Sequence, residues 1–390
     1  MHIKLKFLVS KCCQHIILFS QCQYVVHIIQ KFCLNSVRFW LAFIRNLSYI
    51  LGKIKQKERF RTMKKYCLVS ALMNDESLKK LNTILGTKFN IIYHDPAGGK
   101  IEKFTDEKIE NAEILIGNPS AETLKKCKKL KWLQLNSSGA DFYAKSGIID
   151  PKATVLTNAT GAYGHAIAEY LLAAVFMMTK KLHLYRDNQF AGKWQDLGAV
   201  GTIKGSNVLI VGLGDIGGQF GQMMYSLGAD VYGIRRTVKE KPQYTKAVYS
   251  MDKLKELLPT ADIVVLSLPN SRRTTHIIGE KELKLMKNTA ILANVGRGTA
   301  TDTQALTDAL KNNEIGGAIL DVTDPEPLPR DHPLWKMRNA VITPHISGGY
   351  HAKEIVENIQ NIILTNVEKY INNQPLINLV DFETGYKKSE

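Results

Sequence analysis

The stretch Asn207-Val-Leu-Ile-Val-Gly-Leu-Gly-Asp-Ile-Gly217 decides the fold that we expect for this chain. Its apolar run Val208–Val211 predicts a buried strand, and three glycines follow at positions 212, 214 and 217. The first glycine would permit a tight turn, the second would let the backbone approach a pyrophosphate, and the third would allow close contact between helix and strand. The pyrophosphate would bind at the N-terminus of the following helix, where backbone N–H groups and the helix dipole favour an anion. The stretch therefore predicts a dinucleotide-binding unit.

Apolar runs alternate with helical stretches on both sides of this turn, which is the βαβ pattern. Strands are expected at Tyr66–Ser70, Phe89–Tyr93, Glu113–Gly117, Trp132–Leu135, Thr154–Thr157, Val208–Val211, Val231–Ile234, Ile263–Leu268, Ala290–Asn294, Ala318–Val322 and Val341–Thr343. We expect a helix over Ala121–Leu130, one long helix from about His165 to Arg186, and another helix over Ala352–Ile371. This order predicts the α/β class, with two doubly wound parallel-sheet domains.

The basic charge of the chain is concentrated near its N-terminus. The 390 residues contain 52 Lys and Arg against 36 Asp and Glu, a net charge of +16 that would suit a nucleic acid or a membrane surface. Residues 1–62 hold seven Lys, four Arg and one Glu, so +10 of that charge lies there. We interpret residues 1–62 as an extension outside the fold; membrane attachment and a targeting segment are the alternatives. No nucleic-acid partner is expected, and a membrane contact only if residues 1–62 are retained and exposed.

The end of the strand Val231–Ile234 carries information about the cofactor. A carboxylate at this point would bond the ribose hydroxyls of NAD, but the sequence has Arg235-Arg236-Thr237. Two guanidinium groups and a hydroxyl would bind a 2′-phosphate, which a carboxylate would repel. The sequence therefore favours NADP, with NAD as the alternative; a solvated basic turn is the explanation that involves no ligand.

Three further motifs each follow an expected strand: Asn294-Val-Gly-Arg297-Gly, Asp321-Val-Thr-Asp-Pro-Glu326-Pro and Thr343-Pro-His345-Ile-Ser-Gly348. Open α/β sheets bind ligands at the carboxyl ends of their strands, so these motifs should converge. Arg297 could hold a carboxylate with two hydrogen bonds, and His345 could give a proton to a carbonyl oxygen as hydride arrives at carbon. Glu326 could hold the imidazole and favour its protonated form.

With these motifs, and with Ala261–Pro269, Thr274 and Pro333-Leu-Trp335, the chain from Met63 onwards resembles the D-isomer-specific 2-hydroxyacid dehydrogenase family. The resemblance implies that Arg297 binds the substrate, that Glu326 is the partner acid and that His345 is the proton donor. It also implies that backbone N–H groups of Ser138 and Gly139 bind the substrate carboxylate and that Asp321 lies near the nicotinamide. Arg235 stands where the family usually has an acid, a departure that bears on the cofactor and not on the reaction.

The resemblance further implies a flavodoxin-like substrate domain and a Rossmann cofactor domain with a cleft between them. We expect the substrate domain at residues 63–164 and 347–390, and the cofactor domain at residues 165–346. The residues expected to bind the cofactor are Gly212, Gly214, Asp215, Ile216, Gly217, Arg235, Arg236, Thr237, Leu268, Pro269, Thr274, Val295, Gly296, Asp321, His345 and Gly348. No metal site is expected, because no set of Cys and His residues has the spacing of metal ligands.

The function expected from the sequence is the NADPH-dependent reduction of a small 2-oxo acid, such as glyoxylate, hydroxypyruvate or a branched 2-oxo acid, to the D-2-hydroxy acid. One alternative is an NAD-dependent D-3-phosphoglycerate dehydrogenase. A second alternative is not an enzyme: a dinucleotide-sensing protein similar to the transcriptional corepressors that are related to the family. A 2-oxo acid is thus the expected small-molecule partner, and the resemblance implies a homodimer. We expect the protein to be cytoplasmic.

Overall fold

The computed structural model describes residues 47–50, 65–96, 104–237 and 240–388. Residues 47–50 are helical, and the rest of the extension expected at residues 1–62 lies outside the described residues. The chain divides into two units, one ending at Lys64 and the other running from Lys65 to Glu390. No helix in the described ranges is both long and apolar enough to cross a membrane.

The first sheet of the second unit is entirely parallel, with strand order β2-β1-β3-β4-β5. Its strands are β1 (Lys65–Ser70), β2 (Phe89–Tyr93), β3 (Ala112–Gly117), β4 (Trp132–Gln134) and β5 (Val155–Thr157). The helices between them are α1 (Asp75–Leu85), α2 (Asp106–Glu110), α3 (Ala121–Lys126) and α4 (Asp141–Lys145). Helix α3 ends four residues before Leu130, so the helix that we expected over Ala121–Leu130 is shorter than predicted. The strand order is that of a flavodoxin-like sheet.

The second sheet is also parallel, with strand order β12-β11-β10-β9-β6-β7-β8. Its strands are β6 (Asn207–Val211), β7 (Asp230–Ile234), β8 (Ala247–Tyr249), β9 (Ile263–Leu266), β10 (Ile291–Asn294), β11 (Gly317–Leu320) and β12 (Ala340–Ile342). The helices here are α7 (Asp215–Ser226), α8 (Leu254–Leu257), α9 (Glu280–Leu283) and α10 (Thr303–Lys311). The strand order reverses between β6 and β9, the switch point at which such sheets bind ligands. The predicted fold class, with two doubly wound parallel sheets, is confirmed.

The connection between the sheets differs from the prediction of one long helix. Two helices stand there, α5 (Gly164–Thr179) and α6 (Leu182–Phe190), because Lys181 adopts a left-handed conformation with φ of +55°. The Nζ atoms of Lys180 and Lys181 donate to the carbonyl oxygens of Gly201 and Leu197, at 2.7 and 2.6 Å. These bonds connect the junction between α5 and α6 to the loop that follows α6 and so stabilise the interruption of the helix.

Helix α11 (Lys353–Ile371) returns from the second sheet and packs on the first. The side-chain amide of Gln360 accepts from the Ser77 hydroxyl at 2.8 Å and donates to the Leu72 carbonyl at 3.0 Å. Nδ2 of Asn366 donates to Oε1 of Gln134 in β4 at 2.8 Å. The chain then forms a short antiparallel hairpin of β13 (Val380–Asp381) and β14 (Tyr386–Lys387).

Candidate active site

The loop after β10 presents Arg297 in a fixed conformation. Asn294, the last residue of β10, is fully buried, and its side chain accepts from the Gly296 N–H at 3.1 Å and donates to the Arg297 carbonyl at 3.0 Å. Nη1 of Arg297 donates to the Gly296 carbonyl at 2.9 Å. The loop is thus ordered by its own polar groups, and the guanidinium has a defined position.

Arg297 lies directly against the loop that follows β4. A Cβ at Gly139 would lie 1.7 Å from Nη2 of Arg297, so only a glycine lets the guanidinium approach this closely. The guanidinium also pairs with the carboxylate of Asp141, at 3.5 Å from both Nη2 and Nε. The structure therefore brings Arg297 together with the predicted substrate residues Ser138 and Gly139.

The Ser138–Gly139 loop is held from beneath by two asparagine side chains. Oδ1 of Asn118 accepts from the N–H of Asn136 at 3.0 Å, and Nδ2 of Asn158 donates to the Ser138 carbonyl at 2.7 Å. These two bonds fix the loop where Gly139 meets the Arg297 guanidinium. This arrangement suits a carboxylate.

His345 and Glu326 form a close pair on neighbouring loops of the second sheet. Nδ1 of His345 lies 2.6 Å from Oε1 of Glu326, and both side chains are between two-fifths and one-half exposed. With Nδ1 engaged by the carboxylate, Nε2 is the ring nitrogen available for proton transfer. His345 adopts a left-handed φ of +54°, which its neighbours must maintain.

Asp321 holds the loop that carries His345 (residues 343–348, the histidine loop) in this conformation. Its carboxylate is 2% exposed and accepts hydrogen bonds from the hydroxyls of Thr343 and Ser347 and from the N–H groups of Ile346 and Ser347. Its carbonyl accepts from the His345 N–H at 2.8 Å. These four hydrogen bonds all join the Asp321 carboxylate to residues 343–347, so this carboxylate positions His345.

The loops that carry Arg297 and Glu326 also touch each other. A Cβ at Gly298 would lie 1.9 Å from the Thr323 carbonyl oxygen, and the Thr303 hydroxyl donates to the Asp324 carbonyl at 2.6 Å. The arginine, acid and histidine motifs of the sequence therefore lie on three mutually supporting loops at one edge of the sheet.

The glycine turn after β6 has the geometry that a bound pyrophosphate requires. Gly212 has a φ of +108°, a conformation that favours glycine. A Cβ at Gly217 would lie 2.5 Å from the Gly212 carbonyl oxygen, so α7 packs closely on the turn. Apart from its chain neighbours, no atom of the described residues lies within 4 Å of a Cβ position at Gly214, which leaves space for a ligand beside the backbone. The turn and the first N–H groups of α7 thus fit the phosphates of a dinucleotide.

Arg235 contributes an unsatisfied donor to the same region. Its Nη2 donates to the Leu213 carbonyl at 3.3 Å, and its buried Nε has no hydrogen-bond partner among the residues that the structure describes. Because buried donors rarely stay unpaired, the guanidinium is not fully satisfied by these residues. Arg236 and Thr237 follow at the surface.

Asp215 and Ile216 are the first two residues of α7, so their backbone N–H groups are among those that have no acceptor within the helix. The Asp215 carboxylate has a separate task, because it accepts from the N–H groups of Gly161 and Gly164. Burial raises the pKa of this carboxyl despite those two hydrogen bonds. The Asp215 side chain therefore connects the glycine turn after β6 to the start of α5.

The other residues expected at the cofactor lie on the loops after β9, β10 and β12. The Thr274 hydroxyl donates to the Pro269 carbonyl at 2.7 Å and so closes its own turn. A Cβ at Gly296 would lie 2.6 Å from the Leu268 carbonyl oxygen, and Val295 beside it is buried. On the histidine loop, a Cβ at Gly348 would lie 3.4 Å from the Tyr163 ring.

Three side chains at this site were not predicted: Asp141, Thr160 and Tyr386. Thr160 lies 3.4 Å from the Ser138 hydroxyl, oxygen to oxygen, and Tyr386 hydrogen-bonds to both Ser138 and Thr160. Only Asp141 had a signal in the sequence, since it ends the motif Asn136-Ser-Ser-Gly-Ala-Asp141. In the described part of the chain, no group of three or more His, Cys, Asp or Glu side chains could hold a metal ion.

Comparison with known proteins gives the family. The model of the D-isomer specific 2-hydroxyacid dehydrogenase, NAD binding domain, matches residues 172–347. The glyoxylate/hydroxypyruvate reductase B of Enterobacter sp. (strain 638) is 33% identical over 286 residues, which cover 69% of this chain and 86% of that protein. The D-3-phosphoglycerate dehydrogenase of Methanocaldococcus jannaschii is 28% identical over 280 residues, which cover 70% of this chain and 53% of that protein.

A solved structure supports the same relationship. The D-isomer specific 2-hydroxyacid dehydrogenase family protein from Aeromonas salmonicida subsp. salmonicida A449 is 30% identical and superposes with a TM-score of 0.71, covering 82% of this chain and 99% of that chain. The strand orders, the glycine turn and these similarities agree. The chain therefore belongs to the D-isomer-specific 2-hydroxyacid dehydrogenase family and is an oxidoreductase that acts on the CH–OH group of 2-hydroxy acids.

Proposed function

We propose that this protein uses NADPH to reduce a small 2-oxo acid to the D-2-hydroxy acid. The observation that carries the proposal is the contact of Arg297 with Gly139, because it brings a guanidinium against the loop whose backbone N–H groups would bind the same carboxylate. The His345–Glu326 pair, on the loops beside it, supplies the acid that reduction of a carbonyl needs.

Each group has one role in the proposed reaction. Arg297 and the N–H groups of Ser138 and Gly139 hold the substrate carboxylate and orient the neighbouring carbonyl. When bound, the reduced nicotinamide supplies the hydride that the carbonyl carbon receives. His345 gives the proton on Nε2 to the carbonyl oxygen, and Glu326 stabilises the imidazolium before that transfer.

The assay that tests the proposed function is oxidation of NADPH by the full chain on a panel of glyoxylate, hydroxypyruvate and a branched 2-oxo acid. We expect turnover with at least one member. If a folded protein that binds NADPH turns over none of them, the proposal is wrong, and the dinucleotide-sensing alternative gains support.

The same panel tests a second candidate function. A relative named D-3-phosphoglycerate dehydrogenase covers most of this chain, although the chain spans only about half of that protein. An arm with 3-phosphoglycerate and NAD⁺ would show turnover if that function applied here. We expect none, because the chain covers 86% of the relative named glyoxylate/hydroxypyruvate reductase B but only 53% of the one named D-3-phosphoglycerate dehydrogenase.

Changing Arg235 to Asp should reverse the cofactor preference. Arg235 directly follows β7 and is half-buried, and its guanidinium would pair with the 2′-phosphate of NADP. Hydrogen bonds to charged groups contribute about 1.5–3 kcal/mol, so the KM for NADPH should rise on the order of 10-fold or more. The KM for NADH should stay the same or fall. Steady-state kinetics with each cofactor measures both values.

The exposed Arg338, which pairs with Asp187 at 3.8 Å, provides a charge-matched control. Arg338→Asp should leave both KM values near those of the wild type. Equal effects of Arg235→Asp on NADPH and NADH would show that Arg235 does not select the cofactor.

We also propose that residues 63–164 with 347–390 form a substrate domain and that residues 165–346 form the cofactor domain. The return of α11 to the first sheet supports this division. A homodimer is proposed as well, supported by the exposed apolar side chains of Leu182, Phe190 and Trp194 on and after α6. Light scattering should give twice the mass of one chain.

A further inference from the structure

The hairpin of β13 and β14 lies against the substrate loop. The chain enters it from Leu379, which bridges to Thr157 at the end of β5. At its turn, a Cβ at Gly385 would lie 2.9 Å from Cα of Asp141, the acid that pairs with Arg297. Gly385 has a φ of +69°, so the turn itself requires a residue that tolerates the left-handed region. The turn of the hairpin therefore lies close to the loop that carries Ser138 and Gly139.

The hydroxyl of Tyr386, the next residue, lies at the loop that carries Ser138 and Gly139. The phenol hydrogen-bonds to the side chains of Ser138 and Thr160, and it lies within electrostatic range of Arg297 and Asp215. Burial, the largest effect, raises the pKa of this phenol above its usual value. The phenol therefore keeps its proton, and can act as an O–H donor, to a higher pH than an exposed tyrosine.

The Tyr386 phenol is bonded to the loop at which the carboxylate is expected. In the proposed reaction the backbone N–H of Ser138 binds the carboxylate, while the Ser138 side chain bonds to Tyr386, so the phenol lies one side chain away from the proposed anion position. A carboxylate has about four lone-pair sites, and the two N–H groups and the guanidinium leave room for another donor. A hydroxyl that rotates from Ser138 or Thr160 to an anionic oxygen would gain a stronger, charge-assisted hydrogen bond.

We propose that Tyr386 is a substrate-binding residue whose hydroxyl donates to the carboxylate of the 2-oxo acid, beside Ser138 and Arg297. The proposal rests on the proposed function, because it concerns the substrate of that site. Its consequence is a carboxylate anchor assembled from three separate parts of the chain: the loop after β4, the loop after β10 and the β13–β14 hairpin.

Tyr386→Phe removes this hydroxyl and keeps the ring. We expect the KM for the preferred 2-oxo acid to rise on the order of 10- to 100-fold, the range for loss of a hydrogen bond to a charged group. The value of kcat should change less than 3-fold, and the KM for NADPH should be unchanged. The inhibition constant of oxalate, a dicarboxylate that is not reduced, should rise with the KM of the substrate.

The matched control is Tyr225→Phe, since Tyr225 is an exposed tyrosine on α7. It should leave all of these constants unchanged. KM values do not depend on the fraction of protein that folds, so they remain decisive even if Tyr386→Phe lowers the melting temperature.

The outcomes distinguish the role of Tyr386 from the proposed function of the protein. An unchanged KM for the 2-oxo acid in Tyr386→Phe, or an equal rise in the KM for NADPH, would show that Tyr386 only packs the hairpin and would overturn the inference alone. Absence of turnover in the wild type with every 2-oxo acid would overturn the proposed function, and this inference with it.

Discussion

His345→Ala is expected to lower kcat by about 10²–10⁴-fold, the usual contribution of a positioned general acid. Nδ1 of His345 is held by Glu326 at 2.6 Å, and its backbone is held by Asp321, so Nε2 has a fixed position from which to give its proton. The substitution removes the proton donor but leaves Arg297 and the Ser138–Gly139 loop in place. The KM for the 2-oxo acid should therefore change much less than kcat. Steady-state rates of NADPH oxidation across substrate concentrations measure both.

His332→Ala is the matched control for this experiment. His332 is a half-buried histidine that caps a short helical turn, with its Nδ1 accepting from the Leu334 N–H at 3.3 Å. This variant should retain wild-type kcat. Near-normal turnover of His345→Ala would remove His345 from the proposed mechanism and leave proton transfer to another group or to water.

Gly139→Ala should lower kcat/KM for the 2-oxo acid by about 10²-fold, the effect of misplacing a binding group by about 1 Å. The added Cβ would lie 1.7 Å from Nη2 of Arg297, so either the guanidinium or the Ser138–Gly139 loop must move. Both hold the substrate carboxylate in the proposed reaction, and binding of NADPH should be unaffected. The kinetic constants, together with fluorescence titration of NADPH, measure the two effects separately.

Gly201→Ala controls for the substitution itself. A Cβ at Gly201 would lie 3.7 Å from the Thr179 side chain, an ordinary contact distance. Wild-type kinetics in Gly201→Ala, with a large loss in Gly139→Ala, would support the close approach. If Gly139→Ala kept full activity at an unchanged melting temperature, the carboxylate would have to bind elsewhere.

The sequence predicted the parts of this protein that depend on neighbouring residues. Val208–Val211 reads as a strand because a buried parallel strand is continuously apolar, and the glycines that follow need their conformation whatever surrounds them. The motifs of Arg297, Glu326 and His345 could be placed on one edge, because all three follow strands of one parallel sheet. The edge strand β8 was missed, since its three residues are only half-buried and carry no clear pattern.

What the sequence could not predict depends on contacts between distant residues. The apolar spacing of α5 continues into α6, so nothing local shows that Lys181 breaks the helix; the break is held by carbonyl groups of residues 197 and 201. Tyr386 is separated from Ser138 by most of the chain, and only the return of α11 to the first sheet brings the two together. The buried Nε of Arg235, likewise, is visible only in three dimensions.

The return of α11 has a consequence for biosynthesis. Ile359, Ile363 and Val367 of this helix are buried in the same core as Leu81 and Trp132, and Gln360 bonds to Ser77 across 283 positions of the chain. At the usual rates of translation, roughly 15–60 s pass between the emergence of these partners from the ribosome. During that interval the nascent first sheet exposes an apolar face, which makes this stage of synthesis the one at which chaperones would protect the chain from aggregation.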